Sequence, residues 1–146
     1  PVPLGGPLGA ILRHGRLAQL SLWGCLRLED DFMAALRGCS TLRRLRIGNN
    51  RALRDGTVRL LCKSMGGRVA SLDLSAAAGG ALTDESGAAL ASALSEGLGL
   101  TELRLGGHRM TSRSLAELLA SGMRLRVLDL SGNDLDAPTA AACAGW

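Results

Sequence analysis

Aromatic side chains are almost missing from these 146 residues: one Phe, no Tyr and two Trp. A core without rings has to be assembled from many similar aliphatic side chains. With no aromatic platforms beside the arginines, single-stranded nucleic-acid binding is disfavoured. No apolar run approaches the roughly 20 residues of a membrane-crossing helix. The four cysteines, Cys25, Cys39, Cys62 and Cys143, make no C-x-x-C pair and no dense disulfide spacing, and there is no N-x-S/T acceptor. Those absences point to a reducing, intracellular compartment, the cytoplasm first, with Cys25, Cys39 and Cys62 as buried reduced thiols. Phosphate-loop, nucleophile-elbow and zinc-protease motifs are missing too. His14 and His108 are far apart, neither has a metal-ligand partner at suitable spacing, and a structural role is expected of each. The expectation is therefore no catalytic residue, no metal, no cofactor and no enzyme. The chain opens on Pro1 rather than Met, which suggests a processed or trimmed chain; import into an organelle with a removed targeting segment stays open.

Leu, Ala and Gly are abundant instead, and the leucines recur in a fixed pattern. Leu125–Leu135 reads LRVLDLSGNDL, which is L-x-x-L-x-L-x-x-N-x-L. The first four offsets return at Leu17, Leu20, Leu22 and Cys25, and at Leu42, Leu45, Ile47 and Asn50, with the closing Leu28 and Leu53 one residue later. They return again at Val69, Leu72 and Leu74, where Ala77 stands at the ninth position and a two-residue insertion explains the slip to Leu82. A fourth copy runs Leu100, Leu103, Leu105, His108 and Met110. Repeat starts at 17, 42, 69, 100 and 125 are separated by 25, 27, 31 and 25 residues. An Asn or Cys at the ninth position satisfies backbone groups of the turn. Ala77 and His108 cannot do so identically, which predicts looser middle turns, with water as one filler.

Helical spacing follows each leucine block. Glu29–Asp31 places acid at a helix start, with Phe32, Met33, Ala35 and Leu36 inward and Gly38 as the stop. Asp55 is the expected N-cap of a helix over Thr57–Met65, and Thr111 that of a helix through Leu115, Leu118 and Leu119. Thr83-Asp84-Glu85 opens another. Residues 1–16 are Pro/Gly-rich and read as an N-terminal cap or partial repeat, with Pro7 opening a short helix; 17–146 form the repeat domain.

The pattern covers nearly the whole chain and resembles the leucine-rich-repeat superfamily. LTDESGAALASALSEGLGLTELRLGG resembles its ribonuclease-inhibitor type, while LRGCSTLRRLRIGNN, with Cys39 just before the leucines, looks more like the cysteine-containing type found in F-box substrate receptors. The resemblance implies an α/β fold of about five repeats: a short right-handed horseshoe solenoid, with a parallel sheet on the concave side and helices outside. It also implies protein partners, since members mostly bind other proteins.

Alternation along a strand turns the third, fifth and seventh repeat positions away from the leucines. The third row is Gln19, Arg44, Ser71, Glu102 and Val127, and the fifth is Ser21, Arg46, Asp73, Arg104 and Asp129. The seventh is Trp23, Gly48, Ser75, Gly106 and Ser131. Partner contact is expected at Trp23, Arg44, Arg46, Asp73, Glu102, Arg104 and Asp129. The alternating signs of Arg46, Asp73, Arg104 and Asp129 also predict pairing across the sheet, about 4.8 Å between strands. Trp23 is either a binding hot spot or packing for the N-terminal cap. Arg43, Arg44 and Arg46, with Arg51 and Arg54 beyond the turn, form the densest basic patch, either a solvated face or a site for phosphate or an acidic protein. Residues 1–73 carry 12 basic and 5 acidic groups (+7), and residues 74–146 carry 5 and 8 (−3). An acidic or phosphate-bearing surface would suit the first half. The leading expectation is a noncatalytic protein-interaction module or scaffold subunit of an intracellular assembly. Substrate recognition in an F-box-type ubiquitin-ligase receptor is one alternative. The other is a leucine-rich-repeat regulator of a GTPase, which needs an exposed arginine near a turn, such as Arg51 or Arg109.

Overall fold

Side chains alternate across a strand, so leucines two positions apart must share one face. Five three-residue strands form where the repeat places them: β1 (Gln19–Ser21), β2 (Arg44–Arg46), β3 (Ser71–Asp73), β4 (Glu102–Arg104) and β5 (Val127–Asp129). They make one parallel sheet in the order β1-β2-β3-β4-β5. The register aligns like with like, so Leu20, Leu45, Leu72, Leu103 and Leu128 stand in a single row. The structure, a computed structural model, describes residues 7–24, 30–77, 79–122 and 124–143. Cys25, Leu28 and Glu29 of the first repeat, residues 1–6 of the expected cap and Trp146 lie outside the described residues.

Parallel neighbours require crossovers, and helices supply them. The described residues contain α1 (Pro7–His14), α2 (Asp30–Gly38), α3 (Asp55–Met65), α4 (Asp84–Ser95), α5 (Ser112–Ala120) and α6 (Ala137–Cys143). Helices α1 to α5 pack in series, each against the next. The result is an α/β arrangement of the leucine-rich-repeat kind. Leu45, Leu72, Leu103, Ile47, Leu74 and Leu105 are fully buried beneath Phe32, Val58, Leu61, Leu90 and Leu118 from the helices. The single Phe thus sits in the core, and Leu12 of α1 joins the same core. The two end repeats are less covered: Leu17, Leu20 and Leu22 at one end and Leu125, Leu128 and Leu135 at the other are only half-buried.

The turn after each strand needs a left-handed residue at the eighth repeat position. Gly24, Asn49, Gly107 and Gly132 supply it with φ of 72, 54, 78 and 66°. Asparagine is the side chain that best tolerates that region. The third repeat has Ala76 there and shifts the left-handed residue to Gly79, φ 62°. The Arg109 N–H donates to Leu82 O as the Asp134 N–H donates to Met110 O, so Leu82 and Met110 are equivalent. Leu82 follows Leu74 by eight residues, against six from Ile47 to Leu53 and five from Leu105 to Met110, so the insertion is two residues relative to the second repeat, as expected, and three relative to the fourth.

The helix starts correct a second expectation. Thr83 and Thr111 are N-caps, each accepting from the backbone N–H two residues on. Asp55 is not: Arg54 occupies the N-cap of α3, without a side-chain cap bond, and Asp55 is the first helical residue. Its carboxylate reaches into the next repeat. It accepts from the Thr83 N–H at 3.0 Å, the Thr83 hydroxyl at 2.8 Å and the Ser86 hydroxyl at 2.5 Å. Asp84 does the same for the Thr111 N–H at 2.9 Å, the Thr111 hydroxyl at 2.6 Å and the Ser114 hydroxyl. Each aspartate therefore fastens the start of its own helix to the start of the following one.

Close helix approach makes one glycine essential and leaves another dispensable. A Cβ on Gly87 would fall 2.4 Å from Ser114 Oγ and 3.1 Å from Ser114 Cα, where α4 meets α5, whereas a Cβ on Gly56 would meet nothing within 4 Å. Gly56→Ala should stabilise by about 0.4–1 kcal/mol through the unfolded chain. Gly87→Ala should destabilise by about 1–3 kcal/mol through overpacking, despite the better helix propensity of Ala. Urea denaturation of both variants, with opposite shifts in midpoint, checks the pair.

Candidate functional site

The sheet's second face carries the side chains that the leucine row leaves behind. Gln19, Ser21, Arg44 and Arg46 are exposed on β1 and β2, Glu102, Arg104, Val127 and Asp129 are half-buried on β4 and β5, and Ser71 and Asp73 lie buried between them. Register brings Arg46 beside Asp73, and Asp73 beside Arg104. Those on β1 to β4 border a hollow of about 540 Å³ on this open face, which Val127 and Asp129 do not line.

Charges on the face pair differently from the expected ladder. Arg46 Nε donates to Asp73 Oδ2 at 3.2 Å, as alternation suggests. Arg104 instead donates to Glu102 Oε2 at 3.2 Å within its own strand. Aspartate is too short to serve both partners. Asp73 Oδ1 accepts from the Ser75 N–H at 3.0 Å, and Asp129 Oδ1 accepts from the N–H and hydroxyl of Ser131 at 2.9 and 2.6 Å. Both carboxylates are turned into the strand's own exit, and Glu102, one methylene longer, takes Arg104. Hydrogen bonds from Arg104 and then Ser71 hold the Glu102 carboxyl below the usual glutamate range, so it stays ionised.

Trp23 lies 41% exposed at the edge of the same face. The Arg46 guanidinium carbon stands over its ring, 5.4 Å from the centroid, a cation–π contact. The ring rests against Gly48, where a Cβ would come within 2.5 Å of it. These contacts are with the second repeat. Gly48 as the seat for Trp23 was not anticipated from sequence; the signal was a glycine beside a tryptophan in the same row.

The basic patch does not form one surface. Arg43 turns to the amino end of β2, donating to the Ser40 and Leu42 carbonyls at 3.3 Å each. Arg44 and Arg46 face the open side of the sheet. Arg51 and Arg54 border a separate hollow of about 220 Å³ at the turn edge, together with Asn49, Gly80 and His108. Arg109 is exposed nearby in sequence.

At that turn edge the expectation of loose middle turns fails for His108. Asn133 sets the standard: its Nδ2 donates to Leu105 O at 2.8 Å and Leu130 O at 3.0 Å, and its Oδ1 accepts the Met110 N–H at 2.9 Å. Asn50 Nδ2 likewise donates to Leu22 O at 3.1 Å and to Ile47 O. His108 reaches the equivalent groups across the larger turn, with Nε2 at 2.7 Å from Leu74 O and Nδ1 at 3.4 Å from the Leu82 N–H. The carbonyl requires a proton on Nε2 and the N–H requires a bare Nδ1, so the neutral tautomer is selected. The long imidazole thus spans an enlarged turn that an amide is too short to bridge. Gly80 leaves room for it, since a Cβ there would fall 2.1 Å from Nδ1. Ala77 has no side chain for this work, and its N–H is taken by Asn49 Oδ1 at 3.2 Å.

Cys39 is buried and Cys62 half-buried, and both are free thiols. Burial pushes the Cys62 thiol up to about 11, which keeps it protonated and unreactive near neutral pH. Among the described residues no group of three His, Cys, Asp or Glu could hold a metal ion, and no helix is long and apolar enough to cross a membrane.

No protein-family model matches the chain, and neither does any curated protein sequence. A solved structure of the leiomodin-1 actin-binding site 2 is similar in fold, with a TM-score of 0.73 over 99% of this chain and 87% of that one, at 18% identity.

Burial depresses the His108 pKa below its ordinary value, outweighing the Leu74 carbonyl and the Asp55 charge, which both favour the cation. A depressed folded-state pKa gives stability that is full above the unfolded value, about 6.5, and is lost as pH falls through the folded one. Thermal melts at pH 7.5 and 5 should show a larger loss for the parent chain than for His108→Asn. The variant should start lower at pH 7.5, because its amide is too short for the enlarged turn.

Proposed function

We propose that this chain is a noncatalytic protein-binding module that engages its partner through the open face of the sheet. The observation that carries the reading is the division of labour along every strand. Leucines are spent in the core, while rows of polar and charged residues, several of them paired with one another, line the other face, with exposed Trp23 at one edge. A tryptophan flanked by arginines is the composition that dominates binding energy at protein interfaces.

On this reading the five strands are the inner side of a curved repeat solenoid, of mixed ribonuclease-inhibitor and cysteine-containing character, and the helices form its outer side. The similar leiomodin-1 domain carries actin binding in its description, which makes actin the first partner to try. Co-sedimentation with filamentous actin, and affinity capture from a cell extract, should be run with the parent chain, Trp23→Ala, Arg44→Ala and the helix-side variant Leu60→Ser. Loss of the partner with the first two variants and retention with the third is the expected result. Binding that ignores Trp23 and Arg44 but fails with Leu60→Ser would move the interface to the helices.

A further inference from the structure

Arg46 is held on two sides. Its Nε donates to Asp73 Oδ2 at 3.2 Å, and its guanidinium carbon lies over the Trp23 ring, 5.4 Å from the centroid. Both supports are themselves fixed. Asp73 is 6% exposed and its other oxygen is held by the Ser75 N–H, while the Trp23 ring is seated on Gly48. The arginine side chain nevertheless stays 56% exposed. Among the described residues, its two terminal nitrogens have no hydrogen-bond partner. A guanidinium positioned through Nε and against a ring presents its two terminal nitrogens as a ready fork for two oxygens. Little side-chain entropy is left to lose when a ligand takes that fork.

The surroundings narrow the ligand. Arg44 lies two residues earlier on β2 and on the same face, about 6.6 Å away along the strand. Arg104 closes the far side of the hollow, and Ser71, Asp73 and Glu102 line the rest. Three cations against two carboxylates suit a singly charged carboxylate. One carboxylate neutralises the net charge of +1, whereas a phosphate dianion would leave the site at −1, and a nucleic-acid strand would find one described ring to stack on. We propose that this hollow receives a carboxylate side chain from an acidic segment of the partner protein, with Arg46 as the bidentate anchor and Arg44 as the second cation. The proposal rests on the protein-binding reading of the open face and specifies the chemistry of the partner.

The test uses the whole chain and a fluorescent synthetic peptide alternating Glu and Ser, with a Gln/Ser peptide as the neutral comparison. The Glu peptide should bind and the Gln peptide should not. Arg46→Lys keeps the charge but loses the fork, and should weaken binding about tenfold or more. Asp73→Asn is the decisive variant. Removal of an acidic group would tighten any association driven by net charge, whereas loss of the Arg46 support should weaken it. If thermal melting shows Asp73→Asn unfolded, Trp23→Leu removes the other support without changing charge and should weaken binding in the same way. Unchanged or tighter binding in these variants overturns the proposal. So does equal binding of the Gln peptide, or displacement of the Glu peptide by a phosphoserine peptide or an RNA oligonucleotide at lower concentration. Partner capture that depends on Trp23 while peptide binding ignores both supports would remove only the carboxylate anchor. Capture that ignores Trp23 and Arg44 altogether would remove the open-face reading with it.

Discussion

No repeat in this protein can bury its own leucines. A strand of three residues followed by a helix of 7 to 12 offers a single apolar row, and that row is covered only when the next repeat stacks on it. The gradient of burial shows this directly. Leu45, Leu72 and Leu103 in the middle are fully buried, while Leu20 and Leu128 at the two ends are only half-covered. Register follows from the same requirement. A slip of one residue would turn an entire leucine row to the open face and bring arginines and aspartates into the core. The near-absence of aromatics fits, because a stack of equal layers needs side chains of equal size.

Stacking leaves a second problem at each strand exit, where backbone groups of successive turns have neither strand nor helix to pair with. The chain solves it several times with different chemistry. Asn133 and Asn50 use an amide, His108 uses both ring nitrogens, and Asn49 lends its side-chain oxygen where Ala77 has nothing to offer. Asp55 and Asp84 perform the related task at helix starts. In both aspartates burial raises the carboxyl pKa, but hydrogen bonds from the neighbouring Ser and Thr outweigh it and hold the group below the usual range. Their contribution is therefore present above the unfolded value, near pH 4, and fades in acid. The histidine rung fades earlier, as its imidazole protonates, so acid should loosen the middle turn before the helix starts.

The open face is what remains once the leucines are placed. It is not uniform: Asp73 and Ser71 are sunk beneath their neighbours, and Arg46, lying over Trp23, is the most firmly held cation of the set. Arg104 and Glu102 satisfy one another in one strand, which leaves the β1–β2 side more open to a partner than the β4–β5 side.

Much of this was legible in the sequence, and the boundary has a physical cause. Five strands, the alignment of their rows and the helix starts at Thr83 and Thr111 follow from spacing, because period two and period 3.6 are local properties of the chain, while the parallel order was implied by the leucine-rich-repeat resemblance. The membership of the open-face rows was legible for the same reason. What each side chain does there was not. That Asp55 leaves its own helix for Thr83, that Trp23 rests on Gly48, and that His108 spans an enlarged turn all depend on distances of a few ångströms between segments more than 20 residues apart, and Arg104 takes Glu102 of its own strand in preference to its cross-strand neighbours. Sequence determined which residues would share a face and which would be buried. Only the stacked repeats decided which of those neighbours come within hydrogen-bonding reach, because that reach is set by the packing of one layer on the next.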